Sequence, residues 1–118
     1  MSRSLSCKVF YGIMLGEYPT NIVEKHKEDP TKYEHADDVF KRILPDRRLS
    51  YVQSYYCDEP TCGIAVSRTI QGDWDSVVEL ESDKLQVTEK ERKLLLDTAS
   101  RLEIEDPEIG LWAVAEYF

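Results

Sequence analysis

Two short runs constrain this chain more than any other feature. Residues 8–15 (Lys-Val-Phe-Tyr-Gly-Ile-Met-Leu) and 63–70 (Gly-Ile-Ala-Val-Ser-Arg-Thr-Ile) carry apolar side chains on both faces of an extended backbone. In the first, Val9, Tyr11, Ile13 and Leu15 alternate with Phe10 and Met14. A strand of that kind is stable only with packing above and below it, which places both runs centrally in a sheet. With 118 residues, 42% of them hydrophobic, the chain has the composition of a single globular domain over 1–118 that can bury one core without disulfides or a structural metal.

The remaining elements are ordered around those strands. A polar helical stretch over 22–28 is interrupted at Asp29-Pro30, a pair suited to N-cap and first helical position, which predicts a helix over 30–44 with Tyr33, Ala36, Val39, Phe40, Ile43 and Leu44 facing the core. Residues 49–56 read as an edge strand. The segment 57–62 reads as a four-residue turn between Cys57 and Cys62, joining that strand to 63–70 as a hairpin. Residues 71–73 read as a further turn, and 76–80 as a short strand or loop. Thr88 and Glu91 form a capping box that opens a helix to about Leu102, with Leu94, Leu95, Leu96, Ala99 and Leu102 as its apolar set. A last strand covers 110–118.

The order β-α-β-β-α-β predicts an α+β protein of the ferredoxin-like split βαβ arrangement, a four-stranded, mainly antiparallel sheet with two helices on one face. Helices on one side leave the other face apolar. That face is expected to be covered by a second copy of the chain in a homodimer, by a partner, or by the loop 73–87.

Charge separates along the chain. Residues 1–48 hold nine basic and eight acidic side chains, whereas 49–118 hold six and fifteen, so all of the net −8 falls in the second part. An acidic chain lacks the Lys and Arg clusters that bind nucleic-acid phosphates or anionic membrane, so neither is expected as a direct partner. Nor does the second central strand carry the basic, aromatic signature of RNA readers that share this topology. The start of the chain has no apolar signal segment, and no apolar run reaches the ~20 residues of a membrane span, so a cytoplasmic location with reduced thiols is expected.

No string for a nucleotide loop, a serine hydrolase or a metalloprotease occurs. Cys57 and Cys62 would need two more ligands to hold zinc, and Cys7, His26 and His35 are scattered without metal-ligand spacing. No metal, cofactor or catalytic residue is therefore assigned. Lys41, Arg42, Arg47 and Arg48 complement the end of the first long helix. What stands out is acidic: Asp73, Asp75, Glu79, Glu81 and Asp83 in one run without a basic residue, and Glu103, Glu105, Asp106 and Glu108 in another.

These features point to a non-catalytic protein-binding module, an inhibitor, adaptor or assembly subunit, whose acidic surface occupies a basic or nucleic-acid-binding groove of a partner protein. The alternative is a small-molecule-binding domain or small enzyme. Its aromatic pocket on the sheet face would be lined by Tyr11, Tyr51, Tyr55 and Trp112, with charge from His35 or Arg68.

Overall fold

The computed structural model describes residues 5–44, 46–56, 59–74 and 82–117. It is an α+β fold. In chain order the elements are β1 (Leu5–Gly16), α1 (Thr20–His26), α2 (Ala36–Ile43), β2 (Leu49–Tyr56), β3 (Glu59–Val66), a 3-10 turn (Ser67–Thr69), β4 (Gln71–Trp74), α3 (Ser82–Leu85), α4 (Glu89–Arg101) and β5 (Glu108–Tyr117). Among the described residues, no helix is long and apolar enough to cross a membrane.

The sheet has five strands where four were expected, because 71–74 is a strand rather than a turn. The 3-10 turn explains the addition. It bends the chain leaving β3 so that β4 continues along the same edge of β1, pairing Val9 with Gln71 and Cys7 with Asp73, while β3 pairs with β1 from Gly12 onward. Thr69 pins the bend: its hydroxyl donates to the Val66 carbonyl at 2.7 Å and accepts from the Tyr11 amide at 2.9 Å. On its other edge β1 pairs antiparallel with β5, from Leu5 opposite Tyr117 to Met14 opposite Glu108.

β2 completes the set by pairing antiparallel with β3, and its last residue, Tyr56, bridges to Tyr117 of β5. The pairing therefore runs from β2 through β3, β1 and β5 back to β2. A sheet that returns on itself must curl, and its two faces are then unequal.

One face carries the helices. Ile13 of β1, Leu49 of β2, and Ile64 and Val66 of β3 are buried against Val23 of α1, Val39 and Phe40 of α2, and Leu95, Ala99 and Leu102 of α4. The other face holds a second cluster, Phe10, Val52, Ala65 and Val114, with Met14, Ile70 and Trp112 packed on it. Phe10 is only 1% exposed and Ala65 is fully buried within the described monomer. The cluster on this face is thus buried within the single chain; the loop 73–87, one of the three covers expected for it, lies in part outside the described residues.

Small residues permit the curl. A side chain at Gly12 would place its Cβ 2.0 Å from the Ile64 carbonyl oxygen, and one at Gly63 would meet the Phe10 ring at 3.0 Å. Gly12 stands between Gly110 of β5 and Ala65 of β3, so three neighbouring positions on this face have little or no side chain. The Trp112 indole N–H donates to the Gly12 carbonyl at 3.1 Å, fixing the larger aromatic over the gap.

Two helical expectations change. The helix predicted over 30–44 starts only at Ala36, with His35 as its N-cap, its Nδ1 accepting from the Asp37 amide at 3.2 Å. Asp29 accepts instead from the amide and hydroxyl of Thr31 at 2.9 and 2.7 Å, a local turn that competes with a helix start, and Tyr33 is left exposed. In α4 the capping box forms as read, Thr88 accepting from the Glu91 amide at 3.2 Å and Glu91 from the Thr88 amide at 2.9 Å. Leu96, counted in the core set, faces solvent.

Candidate interaction surface

The acidic residues were read as one surface, and the strand register separates them. Asp73 lies opposite Cys7 and Glu108 opposite Met14, seven residues apart along β1, which is on the order of 20 Å. Asp75, Glu79 and Glu81 lie outside the described residues, and Asp83 is exposed on α3. The turn between α4 and β5 is the group that the structure gathers. Glu103, Glu105, Asp106 and Glu108 are all exposed there.

The turn has a defined shape. Glu103 and Asp106 adopt left-handed backbone angles, φ of 58° and 45°, and the Ile104 amide reaches back to the Ala99 carbonyl at 2.8 Å, closing the end of α4. Lys25 of α1 pairs with Glu103 and holds its carboxyl below the usual glutamate range. Glu105, Asp106 and Glu108 have no ion-pair partner among the described residues. Beside the turn is an open groove of about 550 Å³, floored by Leu15, Tyr18, Ile22, Leu102 and Ile104 with Glu17, Lys25 and Glu103 at its rim.

The four aromatics proposed as one pocket are divided. Tyr11 and Tyr51 pack on the helix face, Tyr51 stacked on Phe40 with ring centroids 4.5 Å apart, while Trp112 belongs to the cluster on the opposite face. Tyr55 continues the Tyr51 side of β2 outward to solvent, linked to it through Gln53, whose Oε1 accepts from the Tyr51 hydroxyl at 2.6 Å. Alternation along β2 and β5 could have separated these residues only if the pairing of the last strand with the first were known.

Of the two cysteines expected to flank the hairpin turn, only Cys62 is among the described residues, and it lies within β3. Tyr56 pairs with Glu59, so the hairpin loop is only residues 57–58, and Cys62 lies opposite Gln53. Cys57 is outside the described residues. Cys62 is a free, buried thiol. Burial pushes it above its ordinary value and, with the Cys62 contact, pushes the Tyr51 phenol far up as well. Neither group is an ionised nucleophile at neutral pH. Among the described residues, no three His, Cys, Asp or Glu side chains converge as a metal site would require.

Arg42, Arg48 and His35 have structural partners. Arg42 makes paired bonds to Glu34 at 2.9 and 2.8 Å and donates to the His26 carbonyl at 2.8 Å. Arg48 holds Asp46 at about 2. His35, besides capping α2, packs edge-on against Tyr18.

Arg68 donates to both oxygens of the buried Glu91 carboxylate, at 3.0 and 2.6 Å, tying the 3-10 turn to the start of α4. The Arg68 bonds, ahead of those from Thr88, hold Glu91 below its ordinary value of 4.5. A carboxylate whose folded value is depressed stabilises the fold above its unfolded value and loses that contribution as pH falls through the folded one. Glu91→Gln should therefore cost stability at pH 7, and the gap from the parent protein should narrow steadily below about pH 4.5 in urea titrations at stepped pH. A gap that stays constant down to acid pH would show that the Arg68 pair does not set the acid limb.

The fold and this turn define an α+β protein with a curled antiparallel sheet and an acidic, exposed α4–β5 corner. No family model, curated protein or solved structure matches the chain.

Proposed function

We propose that this chain is a non-catalytic, acidic protein-binding module, an inhibitor, adaptor or assembly subunit that presents the α4–β5 corner to a basic groove on a partner protein. The observation that carries the reading is that three carboxylates of one shaped turn, Glu105, Asp106 and Glu108, are exposed without an ion-pair partner among the described residues. Carboxylates held close together at the surface repel one another, and a cationic partner relieves that cost and is steered toward it. We further read the run β2-β3-β1-β5 as a ferredoxin-like split βαβ core to which β4 is added. The adjacency of β3 to both β2 and β1, and of β5 to β1, supports this.

Binding partners recovered from the native host at low salt and challenged with rising salt test the function. A partner on this surface should release steeply once the Debye length falls to about 3 Å near 1 M salt. Its affinity should drop when Glu103→Gln, Glu105→Gln, Asp106→Asn and Glu108→Gln are combined. Salt-independent binding that survives the combined variant counts against the reading. Neutralising Asp73, Asp75, Glu79 and Glu81 instead asks whether the other acidic run contributes. In the second reading, a small-molecule-binding domain, the groove of about 550 Å³, lined by apolar and charged side chains, takes the place of the divided aromatic set.

A further inference from the structure

The groove beside the acidic corner combines an apolar lining with carboxylates at and beyond its rim. Leu15, Tyr18, Ile22 and Ile104 line it and are partly buried against the helix-face core, to which Leu102 itself belongs. Bonds within the chain hold this lining in place. The Tyr18 hydroxyl accepts from the Ala36 amide at 3.0 Å, the Ile104 amide donates to the Ala99 carbonyl at 2.8 Å, and the Lys25–Glu103 pair ties α1 to the end of α4. At about 550 Å³ the groove falls within the range of roughly 300–1,000 Å³ that preformed ligand sites occupy.

The surrounding charges point to a cationic occupant that is longer than the groove. Glu17 and Glu103 stand at the rim against one cation, Lys25, which is engaged by Glu103. Glu17 is exposed and has no ion-pair partner among the described residues. Glu105 and Asp106 follow Glu103 by two and three residues, no more than about 11 Å of chain, and Glu108 lies opposite Met14, the neighbour of the lining residue Leu15. These last three carboxylates are outside the lining. A small molecule confined to the groove meets only Glu17 and Glu103, whereas a polypeptide that runs on past it meets the whole set. A second copy of the chain brings its own net charge of −8, and the resulting repulsion opposes it.

We propose that the groove between α1 and the α4–β5 turn takes one or two large apolar side chains from a segment of a partner protein, whose flanking Lys or Arg meet Glu17, Glu105, Asp106 and Glu108. This deepens the protein-binding reading and rests on it. A desolvated apolar anchor at the centre supplies most of the affinity of such a contact, and the charges around it supply steering and choice.

The probe is a fluorescently labelled synthetic peptide with two Leu separated by two Ser and two Lys at each end, titrated with the full chain. One control peptide replaces both Leu by Ser, and another replaces every Lys by Ser. The first peptide should bind and slow amide exchange in 15–22 and 102–104, and each control should bind about tenfold or more weakly. Asn21→Trp, at an exposed lining position, fills the groove and leaves every carboxylate in place. It should keep the circular dichroism spectrum and urea midpoint of the parent and weaken the Leu-Lys peptide about tenfold or more. Glu17→Lys, also exposed, should weaken it without filling the groove.

Failure of the Leu-Lys peptide to bind, or its undiminished binding to both Asn21→Trp and Glu17→Lys, overturns the proposal. If the peptide without Leu binds equally well and is lost on combining Glu105→Gln, Asp106→Asn and Glu108→Gln, the groove is wrong while the acidic corner remains the binding surface. If the peptide without Lys binds equally well, the groove takes apolar ligands regardless of charge and the proposal is overturned. If sedimentation shows a dimer that Asn21→Trp dissociates, the occupant is a second copy, which overturns it as well.

Discussion

Gly12→Ala should abolish the native fold or cost more than about 4 kcal/mol, an exceptional loss for one methyl group. The added Cβ would lie 2.0 Å from the Ile64 carbonyl oxygen, 2.8 Å from the Ala65 Cα and 2.9 Å from the Ile64 carbonyl carbon. All three are backbone atoms of β3, so no rotamer change relieves the contact. Relief requires β1 and β3 to separate where they pair, at Gly12 opposite Ala65 and Ile13 opposite Ile64, and those strands carry the centres of both apolar clusters. Gly110→Ala is the internal control. It lies beside Gly12 on β5 but its Cβ would meet nothing within 4 Å, so it should be tolerated. Chemical denaturation of both variants decides the matter: equal, small losses would mean that β1 and β3 are not as close as described.

Phe10→Ala should destabilise the protein by about 3–5 kcal/mol, comparable to Phe40→Ala on the helix face. Both rings are 1% exposed, yet they belong to different clusters on opposite sides of the sheet. Phe40 is held by its stacking on Tyr51, and Phe10 lies over the backbone of Gly63 with Val52, Ala65 and Val114 around it. A domain of this size has on the order of 5–15 kcal/mol of stability in total, so either substitution removes a large share. The measurement is the urea midpoint at unchanged slope, with dilution to test concentration dependence. Were the second face a surface completed only by another subunit, Phe10→Ala would cost the isolated chain under about 1 kcal/mol and act on association instead.

Local patterns were legible where the decisive contacts are local. Thr88 and Glu91 satisfy each other within one turn, so the capping box could be read directly and α4 begins where the pattern says. The first doubly apolar strand was legible because alternation assigns each side chain to a face before any partner is known, whereas the second, read over 63–70, runs over Glu59–Val66 and gives way to the 3-10 turn Ser67–Thr69. The start of α2 was misread because Asp29 has two local options, capping a helix or closing a turn on Thr31, and sequence spacing does not distinguish them. The hairpin loop was misread because its length depends on which residues pair. With Tyr56 opposite Glu59 it shrinks to two residues and moves Cys62 to Gln53.

The candidate surface shows the same division. The net charge of −8 and its confinement to the second part of the chain are properties of the sequence, as is the lack of any cation from 103 to 118. Which carboxylates share a location is not. Only the pairing of β1 with β4 on one edge and β5 on the other places Asp73 and Glu108 toward different ends of one strand. The sequence by itself determined the α+β class, the central strands and the sign of the surface, because these follow from each residue's own polarity and its period along the chain. The curl of the sheet and the burial of Phe10 were decided by the tertiary structure, because they arise from approaches between backbones distant in sequence, such as Gly12 against Ile64, that no local pattern encodes.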